Sequence, residues 1–278
     1  MATQTEVWLD DGRVLRVHDT GAPTAPGAPV LLWHHGSPQT GALLDPLVEA
    51  AGARGIRLWS YARPSYGEST PNPGRTVASA ASDVARAADA LGIDRFAVMG
   101  ASGGGPPALA CAALLPDRVW GAVSIAGPAP YTDAFDWFAG MHDEGSLRAS
   151  LEGREARARY AETDEFDEAT FTAADWAALA ATWRSLGADA QRAGEAGPDG
   201  LIDDDVSLVE PWGFEPSSIK APVLLVHGGE DRVVPPSHSE ALLRAIGTAE
   251  RWFRPRDGHV SVLSATPVAM DWLLALDR

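Results

Sequence analysis

The stretch "VMGASGGGPP", residues 98–107, is unusually rich in glycine and proline. It surrounds one hydroxyl group, that of Ser102, with four glycines and two prolines. The preceding "RFAVMG" has the apolar content of a buried strand, and the overlapping "GGPPALACAALLPDR" has the Ala and Leu content of a helix. We therefore expect the serine at a tight turn between a strand and a helix.

Glycine is needed in such a turn for a steric reason. The residues from Gly100 to Gly104 have the pattern G-x-S-x-G. In a strand-to-helix turn, this pattern strains the serine backbone and lifts its hydroxyl above the sheet, while glycine avoids collisions with the neighbouring strand and helix. Pro106 and Pro107 suit a first helical turn, where N–H groups lack partners. A glycine-rich turn with an incidental serine is the simpler alternative.

Strand-like and helix-like segments alternate along the chain. Ala- and Leu-rich segments separate eight runs that indicate strands: "EVWLD", "RVLRVHD", "PVLLWHH", "IRLWSYA", "RFAVMG", "VWGAVSIAG", "APVLLVHGG" and "ERWFRP". Most of the middle runs are apolar throughout, as strands covered on both faces are. The alternation predicts an α/β fold with a mostly parallel, doubly wound, eight-stranded sheet.

The alternation stops over residues 128–213, where charged, helix-like sequence replaces the strands. We expect residues 1–127 and 214–278 to form one α/β core and residues 128–213 to form a helical lid inserted after the sixth strand. Within it, "FTAADWAALAATWRSLGADAQRAG" predicts an amphipathic helix with Thr172 as N-cap and Asp175 as its partner.

Composition excludes several classes of partner. The net charge is −16 and Lys220 is the one lysine, whereas nucleic acids and anionic membranes require a basic face. The single cysteine, Cys111, cannot form an internal disulfide and reads as a core residue. The start "MATQTEVWLD" lacks a signal-peptide pattern, and no apolar run has the length of a membrane span. We expect a cytoplasmic protein with a small-molecule partner.

A serine hydroxyl is a poor nucleophile near neutral pH and needs a histidine base oriented by a carboxylate. Asp231 follows a buried strand in "PVLLVHGGEDRVVPP", and His259 follows the last strand in "RWFRPRDGHVSVL". Both lie at C-terminal strand ends, as Ser102 does, so the three side chains should converge at one edge of the sheet. Glu230 and Asp257 are rivals for the acid, and both could instead be solvated loop charges.

Five segments in order, "HHGSP", "ARPSYGEST", "GASGG", "GGEDRVVP" and "DGH", resemble the α/β-hydrolase fold superfamily in its esterase, lipase and proline-iminopeptidase-like branch. The resemblance covers nearly the whole chain. It implies Ser102 as nucleophile, His259 as general base and then acid, and Asp231 as the orienting acid. It also implies an oxyanion hole formed by the N–H groups of Ser37 and Gly103.

The implied activity is cofactor-independent cleavage of a small carboxylic ester, lactone or thioester through an acyl-enzyme. A proline-iminopeptidase-like aminopeptidase is an alternative because lid acids could hold an amino group, although "HHGSP" departs from that family's H-G-G-P-G loop. A non-hydrolytic binding or biosynthetic accessory protein on the same fold is a second alternative. Ser102 argues against the dehalogenases and epoxide hydrolases of this fold, which use an aspartate nucleophile.

Aromatic and loop residues supply the candidate substrate pocket, for which we name His35, Pro38, Trp137, Trp183 and Trp212. The loop at "HHGSP" is shaped by His35 together with Gly36. In "ARPSYGEST", Arg63 and Tyr66 could line the pocket or brace the loop, and for Arg63 we favour bracing.

A metal site is not expected from the sequence. None of the histidines at 34, 35, 227 and 238 shows the close ligand spacing of a motif such as H-E-x-x-H. The run Asp203–Asp205 lacks the alternating ligands and glycine of a calcium loop. Acidic residues are common at helix starts, and we interpret the run in that way.

Overall fold

An eight-stranded sheet lies at the centre of the chain in this computed structural model, which describes residues 2–21 and 27–276. The spatial order of the strands is β1-β2-β4-β3-β5-β6-β7-β8, and β2 alone runs opposite to the others. The predicted mostly parallel sheet is confirmed. The strands are β1 (Thr3–Trp8), β2 (Val14–Asp19), β3 (Val30–His34), β4 (Arg57–Tyr61), β5 (Phe96–Ala101), β6 (Val119–Ile125), β7 (Val223–Gly228) and β8 (Ala249–Arg254).

Helices cover both faces of this sheet. Consecutive residues of β3 show why, since Leu31 and Trp33 belong to one hydrophobic core and Leu32 to the other. Each fully buried Leu contributes about 1.5–3 kcal/mol relative to leaving it in water. One core includes residues of α1 (Asp45–Gly52) and α10 (Thr266–Leu276), and the other includes residues of α2 (Ser79–Ala90), α3 (Gly105–Leu114) and α9 (Ser237–Ala245).

The chain between β6 and β7 contains five helices, and we call residues 128–213 the helical insertion. These helices are α4 (Gly145–Leu151), α5 (Arg154–Ala161), α6 (Ala173–Ala180), α7 (Arg184–Glu195) and α8 (Asp199–Val209). Arginines of α5 pair with acids of α8, since Arg154 lies 2.7 Å from Asp203 and Arg157 lies 2.8 Å from Asp205. Two charge pairs thus join α5 to α8.

The amphipathic segment 171–194 is two helices, so the prediction of one helix is wrong. α6 begins at the expected cap, because Thr172 Oγ accepts the Asp175 N–H (3.2 Å) and the Asp175 carboxylate accepts the Thr172 N–H (3.0 Å). The chain leaves the helical conformation at Ala181, with φ −118° and ψ −106°. Trp183, directly after the break, is buried in the hydrophobic core, and such burial stabilises the fold.

Candidate active site

Ser102 lies at the turn between β5 and α3 with a φ of 52°, in the left-handed region. Such a backbone costs on the order of 1–3 kcal/mol in a residue other than glycine, so its surroundings must hold it. A Cβ on Gly100 would collide with the carbonyl oxygen of Gly104, and a Cβ on Gly104 would collide with that of His34. Close packing of strand, turn and helix therefore requires both glycines of the motif.

Three side chains from separate strand ends form one hydrogen-bonded chain. His259 Nε2 lies 2.9 Å from Ser102 Oγ, and His259 Nδ1 lies 2.8 Å from Asp231 Oδ2. A carboxylate only accepts, so the neutral ring carries its proton on Nδ1 and accepts the serine hydroxyl at Nε2. This arrangement can take a proton from Ser102 and stabilise the resulting imidazolium.

Asp231 is held rigidly and away from water. Its other oxygen, Oδ1, accepts the backbone N–H groups of Val233 and Val234, each at 2.9 Å. Of the two rival acids, Glu230 is exposed and Asp257 pairs with Arg254. Neither rival therefore contacts the ring of the histidine.

The environment of His259 favours its charged form. Burial alone would lower the pKa of the ring, but the charge and hydrogen bond of Asp231, together with the charge of Asp175, outweigh burial. The pKa is therefore raised above the ordinary value of 6.5. A raised pKa makes the ring a stronger base for the proton of Ser102.

The backbones of Ser37 and Gly103 face one another beside Ser102. A Cβ built on Gly103 would collide with Ser37 Oγ and lie 3.7 Å from the Ser37 nitrogen. The preceding loop residue is equally close, because a Cβ on Gly36 would lie 3.6 Å from Ser102 Cβ. Two N–H groups at this place can receive the oxygen of a tetrahedral intermediate.

Asp175 contacts the loop that carries His259, a function that its role as a helix cap does not reveal. Its Oδ1 accepts from the backbone N–H groups of Val260 (2.8 Å) and Ser261 (2.7 Å) and from Ser261 Oγ (2.8 Å). Burial would raise the pKa of Asp175, but these bonds and those from Thr172 lower it. The charged carboxylate of Asp175 thus joins α6 to the two residues that follow His259.

The run Asp203–Asp205 does not lie at a helix start, so that interpretation is wrong. α8 begins at Asp199, and all three acids of the run are buried further along it. Each is paired with an arginine: Asp203 with Arg154, Asp204 with Arg63 and Asp205 with Arg157. Buried carboxylates on a helix need such partners, and no local pattern indicates which arginines supply them.

A cavity of about 730 Å³ opens beside Ser102 and His259. Its walls come from the loop after β3, from the loops after β7 and β8, and from the helical insertion. Most of its side-chain lining is apolar, including Trp33, Leu44, Phe171, Leu179, Trp183, Leu186, Val233, Val260 and Leu263. Four carboxylates also line it, those of Asp143, Asp164, Glu165 and Asp167. A cavity of this size and character suits a small organic molecule.

Two of the five named pocket residues line this cavity, namely Pro38 and Trp183. The other three assignments are wrong. His35 lies beneath the loop, with its ring 2.7 Å from the Gly36 carbonyl oxygen. Trp137 donates to the Ala129 carbonyl (2.9 Å) and packs on His238.

Trp212 follows α8 and lies in the core, where it donates to the Leu208 carbonyl (3.2 Å). Trp137 and Trp212 both lie where the insertion joins the α/β core, and a large buried ring there stabilises the junction. Tyr66 and Arg63 are absent from the cavity lining and instead contact Asp204.

Cys111 is fully buried under the turn, and burial raises the pKa of its thiol, which makes it a core residue. Over residues 2–21 and 27–276, no group of three His, Cys, Asp or Glu side chains is arranged to hold a metal ion. Over the same residues, no helix combines the length and the apolar character needed to cross a membrane.

Comparisons with known proteins agree with this architecture. Residues 29–266 match a family model described as the alpha/beta hydrolase fold. No curated protein matches the chain at a significant level.

Solved structures of similar shape include a bromoperoxidase from Bacillus anthracis, with a TM-score of 0.76, 23% identity and coverage of 99% of this chain and 100% of that one. A thermophilic esterase from Thermogutta terrifontis has a TM-score of 0.72 and 22% identity, with 100% of each chain covered. An enol-lactonase from Burkholderia xenovorans LB400 has a TM-score of 0.71 and 20% identity, with 99% of each covered. At these identities the likeness shows the fold alone. With the family match spanning most of its length, the chain belongs to the alpha/beta hydrolase fold family.

Proposed function

We propose that this protein is a serine hydrolase that cleaves a small carboxylic ester, lactone or thioester through an acyl-enzyme. The observation that carries the proposal is the hydrogen-bonded chain in which His259 lies 2.9 Å from Ser102 Oγ and 2.8 Å from Asp231. A histidine in this position converts an unreactive hydroxyl into a nucleophile. In this proposal no cofactor takes part.

Acylation begins when Ser102 Oγ attacks the carbonyl carbon and passes its proton to His259 Nε2. Asp231, bonded to Nδ1, stabilises the positive ring. The carbonyl oxygen becomes an anion that accepts the N–H groups of Ser37 and Gly103, and the N-terminal end of α3 adds partial positive charge. When the intermediate collapses, His259 returns the proton to the leaving alcohol, enol or thiol.

Deacylation repeats these steps with water. His259 removes a proton from a water molecule, whose oxygen attacks the acyl carbon, and the second intermediate uses the same two N–H groups. Collapse breaks the bond to Ser102 Oγ, which recovers its proton from His259 and leaves a free acid. One histidine thus serves as base and acid in both halves of the reaction.

Substrate selection in this proposal depends on the cavity and on the helical insertion, which acts as its lid. Apolar residues of the insertion, such as Phe171, Leu179 and Leu186, line the cavity opposite the core. They favour an acyl or alcohol group with apolar surface, because burying it in such a cavity removes it from water.

An aminopeptidase of the proline-iminopeptidase type is the second candidate. The observation that favours it is the set of cavity carboxylates, which could hold a substrate's amino group. Partial burial raises the pKa of Asp164, one of these carboxylates, and the nearby Arg157 guanidinium opposes that shift.

Kinetics on a panel of compounds tests both candidates. The panel contains p-nitrophenyl esters of graded acyl length, lactones, thioesters and a prolyl anilide. We expect turnover of esters by the wild type and loss of turnover in Ser102→Ala with an unchanged melting temperature. Preferred cleavage of the prolyl anilide would select the aminopeptidase, and tight ligand binding without any cleavage would select a non-hydrolytic protein.

A further inference from the structure

A buried carboxylate of the helical insertion lies beneath the loop that carries Ser37. Asp204 accepts from Ser37 Oγ at 2.5 Å and from the Tyr66 hydroxyl at 2.9 Å. It also pairs with Arg63 at 2.6 Å and with Arg75 at 2.7 Å. Burial alone would raise the pKa of Asp204, but the two guanidinium groups hold it well below its usual range. Asp204 is therefore a permanent negative charge at this place.

Arg63 links Asp204 to the backbone of the loop, because it contacts both. Its guanidinium donates to the carbonyl oxygen of His35 at 2.5 Å and to that of Gly36 at 3.3 Å. Arg63 is only 2% exposed, so its orientation depends on the groups around it. Because Asp204 accepts from both Nε and Nη2 of Arg63, it fixes the plane of the guanidinium.

His35 holds the same carbonyl from a second direction. Its Nε2 accepts the backbone N–H of Arg63 (3.1 Å), so the proton of the neutral ring is on Nδ1, which donates to the Gly36 oxygen at 2.7 Å. Burial and the charge of Arg63 keep the pKa of His35 well below its usual value, so the ring stays neutral. The Gly36 carbonyl therefore has two donors, both behind the loop.

The direction of this carbonyl determines the direction of the Ser37 N–H. The Gly36 carbonyl and the Ser37 N–H belong to one planar trans peptide unit, in which they point in opposite directions. Donors that hold the carbonyl inward therefore turn the N–H outward, to the side where Gly103 approaches Ser37. Charge donated to the carbonyl also polarises the peptide and strengthens its N–H as a donor.

We propose that Asp204 is a positioning residue for the reaction: through Arg63 it fixes the Gly36–Ser37 peptide so that the Ser37 N–H is aimed at the developing oxyanion. This inference rests on the proposed serine hydrolase function. It makes the helical insertion part of the machinery that stabilises the transition state, in addition to its place as a wall of the cavity.

The competing explanation is that Asp204 only forms a structural salt bridge. A structural role and a positioning role differ in whether they change stability or kcat. A structural pair changes folding stability alone, whereas an oxyanion-hole residue changes kcat with little effect on KM. Asp205 provides a matched control, because it lies next to Asp204 on α8, is buried and pairs with Arg157, but has no contact with the loop. Burial raises the pKa of Asp205 to about 6, so its replacement by Asn removes a charge that its site already disfavours.

The test compares Asp204→Asn with Asp205→Asn and the wild type, using a p-nitrophenyl ester and a trifluoromethyl ketone of the same acyl group. Ser102 Oγ adds to the ketone carbon, its proton goes to His259, and the ketone oxygen becomes the oxyanion. In Asp204→Asn we expect kcat and ketone affinity to fall by about 10²- to 10³-fold, the effect of losing one oxyanion donor. KM should stay within about threefold, and Asp205→Asn should keep kcat within about threefold.

Asp204→Asn leaves two buried guanidinium groups without their anion and can fail to fold. In that event Arg63→Gln decides, because it removes the donor to the Gly36 carbonyl while Asp204 keeps Arg75 as partner. We expect this variant to lose about tenfold or more in kcat. The pH profile of kcat should keep the midpoint of the wild type, since His259 and Asp231 are untouched.

Two results would overturn the inference while leaving the function intact: a folded variant with the kcat and ketone affinity of the wild type, or an equal loss of kcat in Asp205→Asn. A wild type that cleaves no ester and binds no trifluoromethyl ketone would overturn the proposed function and this inference with it. The wild-type measurement therefore separates the two failures.

Discussion

At the scale of residues, the properties of this site come from a few groups placed under constraint. Ser102 adopts its strained backbone only because Gly100 and Gly104 admit close neighbours. His259 is buried, yet the Asp231 carboxylate keeps its proton affinity high. Each effect is local, and each can be tested by altering a single group.

The pH dependence of kcat/KM follows from the raised pKa of His259. Only the neutral ring can accept the serine proton, so activity should fall as the pH drops through a midpoint above 6.5. In Asp231→Asn the ring loses the group that raises its pKa, and NMR titration of the imidazole should give a lower midpoint. The kcat of this variant should fall by about 10⁴-fold, as in other triads that lose the tautomer-fixing acid.

An acidic limb that falls below pH 6.5 in the wild type, or an unchanged imidazole midpoint in Asp231→Asn, would contradict this account of His259. Ser102, Asp231 and His259 could be named as candidates from sequence, because a nucleophile turn and polar residues after buried strands leave local patterns. No such pattern indicates Asp204 as a loop support, because Asp203, Asp204 and Asp205 are equivalent in sequence and differ only in their spatial neighbours.

At the scale of elements, two helices of the insertion contact the two loops on which the proposed chemistry depends. α6 reaches the loop after His259 through Asp175, and α8 reaches the loop after β3 through Asp204. The capping box at the start of α6 could be predicted from Thr172 and Asp175. The second partner of Asp175 could not, because it depends on which loop the helix packs against.

Asp175→Ala tests the contact between α6 and the loop of His259. The variant loses hydrogen bonds to the backbone at Val260 and Ser261, so we expect a loss of about 2–4 kcal/mol in the free energy of unfolding. It should also lower kcat, because the loop that places His259 loses its anchor. Urea unfolding and steady-state kinetics provide the two measurements.

Thr172→Ala is the matched control, because it weakens the cap of α6 and keeps every bond from Asp175 to the loop. We expect it to cost about 1 kcal/mol in the free energy of unfolding and to leave kcat near that of the wild type. Equal kcat values in the two variants would show that Asp175 acts on the helix alone.

The break between α6 and α7 was the clearest failure of sequence interpretation at this scale. No glycine or proline marks the break at Ala181, and the apolar spacing continues through Trp183 and Leu186. After the break, Trp183 is buried in the hydrophobic core, where its large ring contributes to stability by leaving water. Apolar periodicity indicates a tendency to form helix, but it does not show how the segment packs against the rest of the protein.

At the scale of the whole molecule, charge distinguishes the cavity from a generic apolar pocket. The chain carries a net charge of −16, and Asp143, Glu165 and Asp167 are among the acids that line the cavity. Its described lining residues include no Lys or Arg. A substrate that enters the cavity therefore experiences a negative potential.

Esters that carry a carboxylate should bind more weakly than neutral esters of the same shape. A repulsion of about 1 kcal/mol corresponds to roughly fivefold in KM. The difference should shrink as salt screens the exposed acids, which is measurable by comparing a matched ester pair at low and high ionic strength. Equal KM values for the pair at low salt would contradict this view of the cavity.

The sheet was the most predictable feature of the whole molecule, because buried parallel strands are apolar runs separated by helices. The pocket was the least predictable. Trp137, Trp183 and Trp212 are all large aromatic residues in the insertion, and only its packing determines that Trp183 lines the cavity while the other two lie at its junction with the core.

Covalent labelling shows whether Ser102 is a nucleophile activated by His259. Wild type, Ser102→Ala and His259→Ala are treated with a fluorophosphonate, digested and analysed by peptide mass spectrometry. We expect a single adduct on the peptide that contains Ser102 in the wild type, no adduct in Ser102→Ala and greatly slowed labelling in His259→Ala. A wild type that stays unlabelled at Ser102, or a Ser102→Ala variant that still hydrolyses esters, would contradict the account.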